Sequence, residues 1–111
     1  MQWLFYVKYY IKTCQWFLCV TFIEYYLNFI IDDMKYYYLG YCYQKLSYTN
    51  VAIFYYVKIA KTSSYYINAL ANLISIYDSK RLSTEVIEVC NKLISIDPSN
   101  NIAIKYLNKY S

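Results

Sequence analysis

Few residues in this chain could do chemistry, and their spacing argues against it. There is no histidine, so a hydroxyl or thiol nucleophile lacks its usual base. Asp32 and Asp33 are adjacent, and Glu85 and Glu88 lie three apart on one helix face. Carboxylates placed this way serve as helix caps and solvated faces far more often than as acid/base pairs. Cys14, Cys19, Cys42 and Cys90 show no CxxC spacing, and no histidine is present to complete a zinc site. Cys14 and Cys19 would point in different directions on a helix. The cysteines therefore read as small buried hydrophobes of a reducing, cytoplasmic setting. With one glycine in the chain, neither a phosphate loop nor a dinucleotide fingerprint can be written. The expectation is a non-enzyme with no metal and no cofactor.

Two other ligand classes can be weighed from charge and hydropathy. The net charge is +4, from 11 Lys+Arg against 7 Asp+Glu. The cations are scattered rather than striped, with Lys80-Arg81 and the pair Lys105 and Lys109 as the small groups, and phosphate binding wants a clustered basic face. Nucleic acid is therefore not the expected partner. A membrane is the stronger competitor. Residues 13–31 form an apolar run with Glu24 as its only charge, about the length that crosses a bilayer. Lys8 and Lys12 precede it and Asp32-Asp33 follow it, as orientation by positive charge would allow. Glu24 and Asn28 speak against a span, since a carboxylate near the bilayer centre costs about 2.5–3.5 kcal/mol or more. The tyrosines of its second half suit an interface better. The alternative expectation is thus a membrane-associated chain anchored by a transmembrane or interfacial N-terminal segment.

The elements that would position any site are helices. One Gly and one Pro in 111 residues leave too little turn chemistry for an all-β domain. The breaks are polar clusters: residues 47–50, 62–64, 78–80 and 97–99. Helices are expected near residues 2–12, 15–31, 33–46, 50–61, 65–78, 83–96 and 100–110. Hydroxyl and amide side chains in the breaks should cap the following helix. Ser83-Thr84-Glu85 is the clearest start and Asp97-Pro98 the clearest stop. The chain is 59% hydrophobic and holds 18 tyrosines, which combine a large ring with a hydroxyl and suit half-exposed surfaces.

Leu39, Leu73 and Leu107 recur at a step of about 34 residues, the size of one helix-turn-helix unit in a solenoid. Tyr36, Leu70 and Ile104 form a second column, and Tyr43 and Tyr77 a third. The same step backwards places Phe5 under Leu39, Tyr9 under Tyr43, Leu18 under Ala52 and Phe22 under Tyr56. The segment Tyr36 to Tyr43 resembles the first helix of a tetratricopeptide repeat: Tyr36, Leu39, Gly40 and Tyr43 fill that family's places. Its small residue in the second helix falls on Ala52 and its closing proline on Pro98. Leu70, Leu73, Tyr77, Val86 and Cys90 occupy the same columns in the next unit. Gly40 has no counterpart at Ile74 or Asn108, and the first unit closes on residues 62–64 without a proline.

The resemblance implies an all-α array of stacked antiparallel hairpins. Residues 1–32 would form an N-terminal hydrophobic hairpin. Residues 33–111 would be repeats, divided as 33–66, 67–100 and a terminal helix 101–111. It also implies a protein-binding scaffold whose concave face is lined by the first helix of each unit. Tyr37, Tyr41, Gln44 and Lys45 would face a peptide in one unit, and Asn68, Asn72 and Ser75 in the next. Lys105 and Lys109 would follow on the last helix. Tyrosines supply contact area at low entropic cost, and the amides could bond a peptide backbone. Chaperone-binding members of the family grip a carboxylate with Lys and Asn. Only Asn72 matches that clamp here, since Tyr37, Tyr41, Ile102 and Tyr106 stand at its other positions. Unpaired end faces make self-association a further expectation. Ser111 falls where the next tyrosine column would stand, as in a piece of a longer repeat protein.

Overall fold

The computed structural model describes residues 2–30 and 32–111. These form seven helices and no strands: α1 (Gln2–Lys12), α2 (Trp16–Tyr26), α3 (Asp33–Lys45), α4 (Thr49–Tyr56), α5 (Tyr66–Ser79), α6 (Ser83–Ile96) and α7 (Asn101–Lys109). The all-α fold expected from the sequence is therefore present. The helices belong to two compact units, residues 1–63 and 64–111. In the first, α1 packs on α2, α2 on α3 and α3 on α4; in the second, α5 packs on α6, and α7 on both. The repeat boundary read at 32/33 lies inside the first unit.

One turn geometry closes three hairpins. Cys14, Ser47 and Arg81 each adopt a left-handed backbone, with φ of 57°, 69° and 60°. Each follows a helix that ends two residues earlier. Their N–H groups donate to Ile11, Gln44 and Asp78 carbonyls, and the next residue's N–H reaches the carbonyl one residue further back. Gln15 donates to Tyr10 at 2.8 Å, Tyr48 to Tyr43 at 2.9 Å, and Leu82 to Tyr77 at 3.0 Å. The paired bonds satisfy carbonyls that a helix end leaves open. Gln15, Tyr48 and Leu82 then act as N-caps for α2, α4 and α6, with ψ of 67°, 69° and 79°.

That shared turn corrects two expectations. The breaks were expected to cap the next helix with hydroxyls, yet α2, α4, α5 and α6 have no side-chain cap bond. The closing turn makes its own second residue the N-cap, so Thr49 and Ser83 fall one place inside their helices. Side-chain caps occur at Asp32, whose Oδ1 accepts from the Lys35 N–H at 2.8 Å, and at Asn100, whose Oδ1 accepts from Ala103 at 3.0 Å. The N-terminal register also shifts by one. Tyr10, not Tyr9, holds the place of Tyr43 and Tyr77 in the closing turn. Cys19 and Ile23 are fully buried, whereas Leu18, expected under Ala52, is exposed and Phe22 only half-buried.

Two helices end earlier than expected, and side chains of α3 bond the chain that follows each. α2 stops at Tyr26 rather than running to residue 31; Ile31 itself lies outside the described residues. The Lys35 ammonium donates to the carbonyls of Leu27 (2.8 Å) and Ile30 (2.9 Å), so the chain beyond Tyr26 is tied down without helix. α4 stops at Tyr56 rather than 61, and the Asp33 carboxylate accepts from the Ala60 N–H at 3.4 Å. The apolar run 13–31 is accordingly not one helix: Thr13–Gln15 is a turn and α2 is 11 residues long. Among the described residues, no helix is long and apolar enough to cross a membrane.

The first unit's core joins Val7, Cys19, Val20, Ile23 and Leu27 to Leu39 and Cys42 of α3. Ala52 and Tyr56 of α4 are also buried. The second unit buries Leu70, Leu73 and Ile74 of α5, Val86, Cys90 and Leu93 of α6, and Ala103 of α7. The columns at Leu39, Leu73, Ala52, Val86 and Cys90 thus lie in the interior. Tyr36, Tyr43, Tyr77 and Leu107 are half-buried and Pro98 is exposed.

Candidate functional site

The candidate groove residues of the first unit sit on one face of α3. Tyr37 and Tyr41 are one turn apart, and their rings stack with centroids 6.3 Å apart at 25°. Lys45, another turn on, places its ammonium 5.4 Å from the Tyr41 ring centroid, a cation–π contact. Trp16, the first residue of α2, meets the Tyr41 ring edge-on at 5.8 Å and 72°. Tyr37 leans on Tyr38 and on the buried ring of Tyr56. A shallow cavity of about 250 Å³ opens beside them, lined by Ile11 of α1 with Tyr37, Tyr38 and Tyr41. The result is an aromatic ledge held from three sides with a cation at one end.

Gln44 plays a different part from the one expected of it. Its Oε1 accepts the Tyr56 hydroxyl at 2.8 Å, which ties α3 to α4 and commits the amide oxygen. Tyr56 needs that partner, because a buried hydroxyl without one costs free energy. The packing beneath is close: a side chain at Gly40 would meet the Tyr56 ring.

In the second unit Asn68 and Ser75 are exposed on α5, and Asn72 is half-buried. Lys105 lies over the Tyr106 ring at 5.3 Å. Lys109 does not stand free: its ammonium is 2.7 Å from Asp78 Oδ1, and the Tyr110 hydroxyl donates to the same oxygen. These bonds, Lys109 first and Tyr110 second, hold the Asp78 carboxyl below its ordinary range, and Asp78 in turn raises Lys109. Lys109 and Asp78 therefore fasten α7 to α5.

Sequence reasoning missed Trp16 and Ile11, which complete the ledge from α2 and α1. Trp16 shares no repeat column with α3, and Ile11, 34 positions before Lys45, is one apolar residue among many there, so periodicity singles out neither. Among the described residues, no three His, Cys, Asp or Glu side chains converge as a metal site would require. No family model, no curated protein and no solved structure matches the chain.

Proposed function

We propose that this chain is a non-catalytic, tetratricopeptide-like binding module that takes a peptide segment of a partner protein along the α3 ledge. The observation that carries the reading is the ordered row Tyr37, Tyr41 and Lys45, braced by Trp16. Rings already fixed by their neighbours lose little entropy when a partner docks, which is how aromatic anchors dominate interfaces. Lys45 favours a peptide with a carboxylate near that end. The three like hairpin closures support the repeat resemblance. Asn68, Asn72 and Ser75 of the second unit remain candidates for the same role, with Lys105, while Lys109 serves only if Asp78 releases it.

The test is a random peptide library panned on the whole chain and counter-screened on Tyr41→Ala and Asn72→Ala. Enriched peptides should lose at least about tenfold in affinity on Tyr41→Ala, or about 1.4 kcal/mol, while thermal unfolding stays close to wild type. If every enriched peptide binds both variants unchanged, the groove reading is wrong.

A second reading rests on a separate observation. Phe17 (71%), Tyr25 (72%) and Phe29 (77%) are largely exposed in and after α2, and Phe5 (69%) in α1. With Lys8 and Lys12 nearby, such aromatics suit the surface layer of a bilayer rather than its interior. Co-sedimentation with anionic vesicles checks it. Binding should fall sharply in a Phe17→Ser, Phe29→Ser variant, and an unchanged pellet fraction would refute it.

A further inference from the structure

The other side of α3 carries a second concavity. Tyr43 follows Tyr41 by two residues, about 200° around the helix, so it faces away from the ledge. There α2, α3 and the turn at Tyr48 border an open concavity of about 440 Å³, within the roughly 300–1,000 Å³ of small-ligand sites. The walls are aromatic: Phe17 and Tyr25 from α2, Tyr43 from α3, and Tyr48. Tyr43 and Tyr48 meet at 72° with centroids 6.2 Å apart, forming a corner. Val20 and Leu46 add an apolar surface.

One charge stands in this setting. Glu24 lines the cavity and accepts a hydrogen bond from the Tyr43 hydroxyl. Burial, and then that bond to Glu24, push the Tyr43 phenol above its ordinary range, so it remains a donor that holds the carboxylate in place. No lysine or arginine lines the cavity. The lysines of α3 are engaged elsewhere, Lys35 on the Leu27 and Ile30 carbonyls and Lys45 over Tyr41. Among the described residues, Glu24 has no cationic partner. A lone carboxylate among ring faces is complementary to a cation with an apolar stem, since ring faces attract cations and the carboxylate adds a charge-assisted hydrogen bond.

We infer that the Glu24 cavity binds an alkylammonium cation, the side chain of a lysine on a partner peptide. Its methylenes would lie on Val20 and Leu46, and its ammonium beside Glu24 between the rings. A lysine stem is apolar over four carbons and keeps its charge at the tip, which matches an apolar floor with one anion. That the lysine comes from a peptide rests on the binding-module reading; the cation preference of the cavity does not.

The experiment is a chemical-shift titration of the whole chain with three probes: N-acetyl-lysine methylamide, its uncharged counterpart N-acetyl-norleucine methylamide, and tetramethylammonium. The lysine probe should shift Glu24, Tyr43 and Phe17 resonances saturably and bind at least about tenfold more tightly than the norleucine probe. Glu24→Gln should erase that difference. Tyr43→Phe, which keeps the ring and frees the carboxylate, should reduce it. Tyr41→Ala should leave lysine binding intact, so failure here is distinct from failure of the α3 ledge. Equal binding of norleucine, shifts mapping to Tyr37 and Tyr41, or no saturable shift would overturn the inference. Saturable binding of tetramethylammonium without the lysine probe would assign the cavity to a free quaternary amine and overturn the lysine assignment.

Discussion

The ring of Tyr56 fills the space that a side chain on Gly40 would need: a methyl there would stand 2.7 Å from Cε1 and 2.8 Å from Cδ1. Tyr56 is 1% exposed, and its hydroxyl is held by Gln44, so the ring has nowhere to swing. Overpacking of this kind costs about 1–3 kcal/mol, and alanine's preference for helix returns at most about 1 kcal/mol. Gly40→Ala should therefore destabilise the chain by about 1–2 kcal/mol in urea unfolding. In a Tyr56→Leu background, where the ring is gone, the same change should become neutral or favourable. An equal loss in both backgrounds would show that the contact is not the cause.

Ser47 and Arg81 hold left-handed backbones that L-residues enter at a cost of about 1–2 kcal/mol. Glycine removes that cost but adds freedom to the unfolded chain, about 0.4–1 kcal/mol. Ser47→Gly and Arg81→Gly should each stabilise by about 0.5–1 kcal/mol, read as a higher denaturant midpoint at unchanged slope. A lower midpoint for both would contradict the turn geometry.

Docking of α7 on α5 should depend on pH. Asp78 titrates below its ordinary value because Lys109 and then Tyr110 bond it. A depressed carboxyl stabilises the folded form above its unfolded pKa, about 3.9, and loses that contribution as pH falls through the folded value. Lys109 is raised, so its contribution is whole below about 10.4 and fades as pH climbs through the folded value. The protection of α7 amides, taken relative to an unstructured chain at the same pH, should fall below about pH 4, with a small amplitude that salt reduces further, because Lys109 is exposed and Asp78 only half-buried. Asp78→Asn should flatten the acid limb. A profile that Asp78→Asn leaves unchanged would rule this pair out as its source.

Thiol reactivity should separate the cysteines. Cys14 is exposed, while Cys19, Cys42 and Cys90 are buried. A hydrogen bond with Cys19, and then burial, raise the Cys42 thiol, and burial raises Cys90. An aromatic disulfide reagent should modify Cys14 rapidly in the native chain. The other three should react only at the rate of unfolding. Rapid modification of Cys42 or Cys90 in a Cys14→Ser chain would contradict the packing.

The helices were legible because apolar stretches between polar clusters are a local signal. The bounds of α1 and α6 fall at the expected residues. The early ends of α2 and α4 were not legible, since no Pro or Gly marks them and the chain beyond each is held instead by the side chains of Lys35 and Asp33. The N-terminal register slipped by one because almost every residue there is apolar, and any step aligns apolar with apolar. On the site, Tyr37, Tyr41 and Lys45 came from the tetratricopeptide resemblance, which sets them at four-residue steps along the first helix of a unit. The bond between Lys109 and Asp78 spans 31 positions and that between Tyr43 and Glu24 spans 19. No local pattern announces either.

The closures at Cys14, Ser47 and Arg81 share a backbone path but no side-chain type. The path is therefore written in main-chain bonds, and the three loops are interchangeable joints. A hairpin could be duplicated or grafted between positions without inventing a new connection, so the length of such an array can change while its corners stay the same.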